Sequence, residues 1–311
     1  MIRDRHIGLL RLSVFFFVMA FLLFSVSCAG GGDPPVKRED PGKRYEVPEF
    51  LPVTFDRNKA YSGAGVKIDA SHTGEGYVRA SCVRDKRLKF QIIKGDIKYT
   101  YDIPNDGTVT VFPIQSGDGS YSLRVMKNVT DNKYAELYKV NIYVSLIDEF
   151  QPFLHASRYV DYDRDSLCVE KAGELARESY DELHFIANVY SFICKQVKYD
   201  RPKAQDIPTG YLPDPDETMT SGMGICFDYA SLAARMLRSH GIPTKVIFGY
   251  VSPNDVYHAW NMIYTRETGW ITVGFEVGRD DWSRMDLTFS ANGSDAKFIG
   301  NDENYSDVFE Y

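Results

Sequence analysis

Ser221-Gly222-Met223-Gly224-Ile225-Cys226-Phe227-Asp228-Tyr229-Ala230 is the stretch on which the reading of this chain turns. Two glycines break the backbone before Cys226, and a helical period starts with it. Phe227, Ala230, Ala234 and Leu237 fall on one side, with Leu232 and Met236 near it. Asp228, Ser231, Arg235 and Arg238 form a polar stripe. His240-Gly241 and then Pro243 end the helix. Cys226 thus stands in the first turn, where unpaired N–H groups and the helix dipole favour a thiolate over a thiol. Alone, the stretch leaves two readings open: an activated nucleophile, or a small buried apolar residue.

Downstream segments favour the nucleophile. Tyr257-His258-Ala259-Trp260-Asn261 supplies a base that can take the thiol proton. Trp282-Ser283-Arg284-Met285-Asp286-Leu287-Thr288-Phe289 offers Asp286 to orient the imidazole. Extended as a strand, this run puts Trp282, Arg284, Asp286 and Thr288 on one face and Met285, Leu287 and Phe289 on the other. Asp280 and Asp281 read as turn residues of a hairpin spanning 274–281.

The three segments together resemble the transglutaminase-like superfamily of papain-type thiol enzymes, over roughly residues 180–311. The resemblance implies an α+β core in which the helix bearing the cysteine packs on an antiparallel sheet. It also implies a catalytic triad of Cys226, His258 and Asp286 and a thioester acyl-enzyme. In the family the acidic residue is commonly closer to the histidine and followed by Pro; here Leu287 follows Asp286. The superfamily includes peptidases, amidases and transglutaminases, so the resemblance leaves hydrolysis and amine transfer both open. It also admits an inactive module that binds protein or cell-wall polymer. The expected partner is a protein or peptide, cell-wall peptides included, and no cofactor is implied.

Residues 1–27 read as an export signal. Arg3, Arg5 and Arg11 precede or open an apolar run, Leu12–Val26, that is short for a membrane span. Ser25-Val26-Ser27-Cys28 resembles a bacterial lipobox with Ser25 in place of Leu, which would make Cys28 the lipidated residue and anchor the protein on the extracytoplasmic face of a membrane. Removing 1–27 takes away three arginines and one aspartate, so the net charge of −7 becomes −9. That balance argues against nucleic acid as a partner. Residues 28–49, rich in Gly, Pro and charge, read as a flexible linker.

Residues 50–148 alternate as short strands. Leu88, Phe90 and Ile92 lead, then Tyr99, Tyr101 and Ile103; Tyr121, Leu123 and Val125 follow, and Val140–Leu146 closes the series. Asp106-Gly107 carries a hairpin signal. The spacing predicts an antiparallel β-sandwich; the resemblance implies that residues 149–311 form the transglutaminase-like domain. Helices are expected around Leu167–Ala176 and Leu183–Val197. Between sandwich and helices, Asp161–Ser166 starts like a calcium loop, but Ser166 replaces its Gly and Ala172 its Glu, so it reads as a turn and helix cap, with no metal site. Pro202, Pro208, Pro213 and Pro215 make residues 201–223 an ordered loop over the cleft, with Tyr211 a candidate substrate-binding wall. Strands are expected at Lys245–Val251, His258–Tyr264, Trp270–Val277 and Ser283–Phe289, with a last one at Tyr305–Tyr311. Cys168 and Cys194 are spaced for a bridge between the two helices or for two buried thiols.

Overall fold

The computed structural model describes residue 42 and residues 44–265, 269–271, 275–277, 281–294, 296–299 and 301–311. The export signal and Cys28 lie outside the described residues, as does Asp280. From residue 50 onward the chain is α+β: antiparallel sheets first, then helices packed on a further antiparallel sheet.

The first half runs β1 (Tyr61–Gly63), β2 (Val66–Asp69), β3 (Tyr77–Cys82), β4 (Leu88–Lys94), β5 (Ile97–Ile103), β6 (Thr110–Pro113), β7 (Gly119–Thr130) and β8 (Lys133–Val144). They form two four-stranded sheets, ordered β1-β2-β3-β6 and β5-β4-β7-β8. Alternation decides which side chains face inward. Leu88, Phe90 and Ile92 are buried with Tyr99, Tyr101 and Phe112 in the core that both sheets share. The Asp106-Gly107 signal is not a hairpin. The hairpin joining β4 and β5 turns at Gly95-Asp96, and Asp106-Gly107 lies where the chain leaves β5 for β6 in the other sheet. A two-residue turn joins only adjacent strands of one sheet, and two packed sheets stand about 10 Å apart.

The second half begins with α1 (Leu167–Arg177) and α2 (Glu182–Gln196). Ser166 is the N-cap residue of α1, but its side chain makes no capping bond. Instead Asp216, distant in sequence, accepts from the N–H groups of Leu167 and Cys168, each at 3.2 Å. Then come β9 (Lys198–Tyr199), α3 (Arg201–Gln205), α4 (Pro215–Ser221) and β10 (Met223–Gly224). The proline-rich stretch is therefore partly helical. Asp200 and Asp214 cap α3 and α4, and a proline occupies the start of each, where its missing N–H has no bond to lose.

α5 (Cys226–Arg238) is the central helix, followed by β11 (Thr244–Val251), β12 (Val256–Thr265), β13 (Gly269–Ile271), β14 (Phe275–Val277), β15 (Asp281–Met285), α6 (Leu287–Ala291), α7 (Ala296–Ile299) and β16 (Tyr305–Glu310). The main sheet is ordered β15-β12-β11-β16. Within the expected single strand at Trp270–Val277 the described residues pair as two strands, β13 against β14; the turn expected at 278–281 lies outside the described residues except for Asp281, which begins β15. The strand expected at Ser283–Phe289 ends at Met285, and helix α6 takes over. Cys168 and Cys194 are both free thiols.

Every residue of α5 from Asp228 to Arg238 is buried. Its apolar side packs with α1, α2 and the β11–β12 face in one core. Its polar stripe, which on an ordinary helix would meet water, turns inward as well. Ser231 Oγ donates to Tyr159 O at 2.6 Å, and Arg235 donates to Pro213 O at 3.0 Å. Arg238 donates to three carbonyls: Thr244 at 2.7 Å, His155 at 2.9 Å and Tyr311 at 2.9 Å. Burial pulls its guanidinium down to about 10, opposed by Tyr162 and Tyr101, so it stays charged at neutral pH. Arg238→Met should leave the Thr244 and His155 carbonyls without this donor, at about 1–3 kcal/mol each, while Tyr311 O keeps the Val246 N–H at 2.8 Å. A chemical denaturation series is expected to show a loss of about 2 kcal/mol or more.

Candidate active site

The loop before Cys226 is shaped by its glycines. Gly222 ends α4 in the left-handed region at φ +64°. A Cβ on Gly224 would lie 2.9 Å from Asp228 Cβ, so only glycine lets the strand pass this close to the helix. β9 and β10 pair in parallel, Met223 with Lys198 and Gly224 with Tyr199, which fixes the approach to the helix. Ile225 is the N-cap in extended conformation. Asp228, three residues on, accepts from the Ile225 N–H at 2.8 Å, the backward half of a capping box. Cys226 is the first residue of α5 and is half-buried.

His258 lies on β12, 4% exposed. Its Nε2 is 2.9 Å from Asp286 Oδ2. A carboxylate only accepts, so Nε2 carries the proton and Nδ1 is the nitrogen left for other chemistry. The Phe289 ring stacks on the imidazole at 4.5 Å between centroids. Burial alone would lower the His258 pKa. The Asp286 charge and bond, followed by the Cys226 thiol, outweigh it and push the imidazole up to about 10.

Asp286 reaches His258 by a route the strand reading did not give. It is the N-cap of α6, not a mid-strand residue. Oδ1 accepts from the Phe289 N–H at 3.0 Å, while Oδ2 accepts from His258 and from the Tyr305 hydroxyl at 3.1 Å. The helix start fixes the carboxylate, since its free N–H groups hold one oxygen and leave the other for the imidazole. Tyr305, on β16, and Phe289 were not singled out from the sequence. Neither carries a local motif, and only the pairing of β16 with β11 brings Tyr305 to the site. Asn261 ties the sheet to the helix, its Nδ2 donating to Ala230 O at 3.0 Å and Lys245 O at 3.1 Å.

Tyr211 lies against the first turn of α5. Its hydroxyl donates to Asp228 Oδ1, its ring lies 4.7 Å beneath the Lys203 ammonium, and its edge meets Phe227 at 6.4 Å. Phe227 in turn contacts Tyr159, which packs on Tyr101 of β5, so aromatic rings run from the sandwich core to the residue after Cys226.

Residues 170–275 match the model of the transglutaminase-like superfamily, and this part of the chain is a transglutaminase-like domain. The match includes Cys226 and His258 and ends before Asp286. Among solved structures, the chain is similar to a candidate cysteine protease from Cytophaga hutchinsonii, at 13% identity over 79% of this chain and 75% of that one, TM-score 0.39. It is also similar to LapG of Legionella pneumophila, at 17% identity over 46% of this chain and 83% of that one, TM-score 0.30. Red sea bream transglutaminase is a third, at 14% identity over 68% and 48%, TM-score 0.28. No curated protein matches the chain.

Because the folded-state pKa of His258 is raised from 6.5 to about 10, the charged pair with Asp286 stabilises the fold in full below pH 6.5. That contribution is lost as pH rises through the folded value. The gap in melting temperature between wild type and His258→Gln should therefore be widest near pH 6 and shrink steadily toward about pH 10 in a calorimetric series. A gap that widens with rising pH would contradict the charged pair.

Proposed function

We propose that this transglutaminase-like thiol enzyme acts on amide bonds through Cys226, His258 and Asp286. The observation that carries the reading is the 2.9 Å bond that commits His258 Nε2 to Asp286, leaving Nδ1 for a cysteine at the head of a buried helix. Cys226 and His258 form a thiolate–imidazolium pair, with the thiol proton on Nδ1, and the thiolate attacks the carbonyl carbon of a carboxamide or peptide. The developing oxyanion lies near the N–H groups that open α5, among them that of Cys226. His258 then protonates the leaving amine, and the carbonyl carbon remains bound to Cys226 as a thioester. Attack by water completes hydrolysis, and attack by a lysine amine would give a crosslink. Water needs no binding site, which favours hydrolysis of a protein or peptide. Tyr211 is proposed as a wall of the cleft on the side of residues 201–214. Asp286 and Tyr305 hold the imidazole in the tautomer this cycle requires.

The proposal extends to location. The apolar run, the small residues before Cys28 and the linker after it fit a lipid-anchored protein on the extracytoplasmic side of a bacterial membrane, with cell-wall peptides within reach. Diacylglycerol on Cys28 supplies two chains, enough for stable retention.

Turnover is measured with casein, with a glutamine peptide plus an amine acceptor, and with peptidoglycan stem peptides. Cys226→Ala is expected to abolish it and keep the fold; wild-type turnover in that variant would overturn the assignment. Asp286→Asn should lower the rate by orders of magnitude, up to about 10⁴-fold as in serine-protease triads, whereas Asp281→Asn should change it little. Cys28→Ser should move the protein from the membrane to the soluble fraction of its host, and unchanged membrane retention would contradict the lipid anchor.

A further inference from the structure

Asp228 poses an electrostatic problem for the proposed nucleophile. It is fully buried and sits two residues from Cys226, on the same helical turn. An uncompensated carboxylate there would oppose formation of a thiolate. Its Oδ2 also holds the Ile225 N–H that starts the helix, so the residue is fixed in place by the capping bond. Compensation comes from a segment the mechanism has not used. Lys203, on α3, places its ammonium 2.9 Å from Asp228 Oδ2 and over the Tyr211 ring. Tyr211 closes the other side by donating to Oδ1.

We propose that Lys203 is a positioning residue for Cys226: its ammonium cancels the Asp228 charge beside the thiol and fastens residues 201–214 to the head of the catalytic helix. With Asp228 neutralised, the groups bearing on the thiol are His258 and Tyr257 from β12 and Tyr199 from β9, with Asp286 acting through His258. The dominant charge among them is then the imidazolium. Burial works against the Lys203 ammonium, but Tyr211 and Asp228 outweigh it and hold it above its ordinary value, so Lys203 stays charged through neutral and mildly alkaline pH. Burial and the bond to Asp228 push the Tyr211 phenol up to about 12, so it remains a donor over the same range. The arrangement is a half-buried cation and hydroxyl around a buried carboxylate, in which each member depends on the other two.

This inference rests on Cys226 being an activated thiol, and the test separates the two. Iodoacetamide alkylation of the full chain is followed by site-resolved mass spectrometry at about pH 6 and about pH 9, and the readout is the ratio of Cys226 rates at the two values. Lys203→Met is expected to lower the rate at the acid pH by about tenfold or more, with a much smaller loss at the alkaline pH, where thiols ionise readily anyway. Lys203→Arg should restore the wild-type ratio. Asp228→Asn keeps the acceptor for Ile225 and removes the charge, so it should raise the ratio, both alone and combined with Lys203→Met. A purely structural role for Lys203 predicts equal loss at both pH values and no rescue by Asp228→Asn, and that result would overturn the inference. If Lys203→Met fails to fold, Asp228→Asn alone decides: an unchanged or lower ratio overturns the inference. A wild-type Cys226 that reacts at about pH 6 no faster than Cys82, Cys168 or Cys194 would instead overturn the proposed function.

Discussion

A helix with no face to the solvent constrains everything around it. From Asp228 to Arg238, α5 is buried on every side, although its sequence carries a carboxylate, two hydroxyls and two guanidinium groups. Each polar group taken from water must find a partner or destabilise the fold. The partners are backbone carbonyls and side chains from separate parts of the chain: Tyr159 and His155 after the sandwich, Pro213 before α4, Thr244 on β11 and Tyr311 at the end. Arg238 alone binds three of them. The helix that carries Cys226 is thereby fixed to the sandwich connection, the sheet and the last strand, and the cysteine at its head inherits that rigidity.

The same physics recurs at the two ends of the site. Asp228 sits at the start of α5 and Asp286 at the start of α6, each holding a backbone N–H with one oxygen. Helix starts stabilise anions through these donors and the aligned peptide dipoles. Each carboxylate then holds a basic group, Lys203 in one case and His258 in the other. Each also accepts from a tyrosine hydroxyl, Tyr211 and Tyr305 respectively. In the proposed mechanism one of these ion pairs neutralises a charge beside the nucleophile, and the other keeps the base charged and oriented.

Much of this was legible in the chain. Two glycines, Cys226 and a helical period followed by His240-Gly241 define α5 through nearest-neighbour effects alone, and the helix runs as expected. The inward positions of β4, β5 and β7 follow from alternation, which a strand's pleat imposes without help from its neighbours. His258 was placed on its strand by the same pattern. Where the reading of periods went astray, a distant partner had intervened. Asp106-Gly107 has hairpin chemistry, but β6 pairs with β3 rather than β5. The prolines at 202 and 215 resemble loop breakers and instead open short helices, because an aspartate precedes each.

What the sequence determined by itself was the set of elements and the residues able to do chemistry, since propensity, capping and periodicity act within a few positions. What only the tertiary structure decided was which of those residues meet. Extending the 282–289 strand would place Asp286 by the alternation of its own strand, yet its orientation comes from the α6 N-terminus that begins one residue later. Tyr305 reaches the same carboxylate because β16 pairs with β11. The polar stripe of α5 is buried because the connection after the sandwich and the segment before α4 close over it. Such meetings depend on strand order and register, which are set by the burial of the whole core and have no short-range signature.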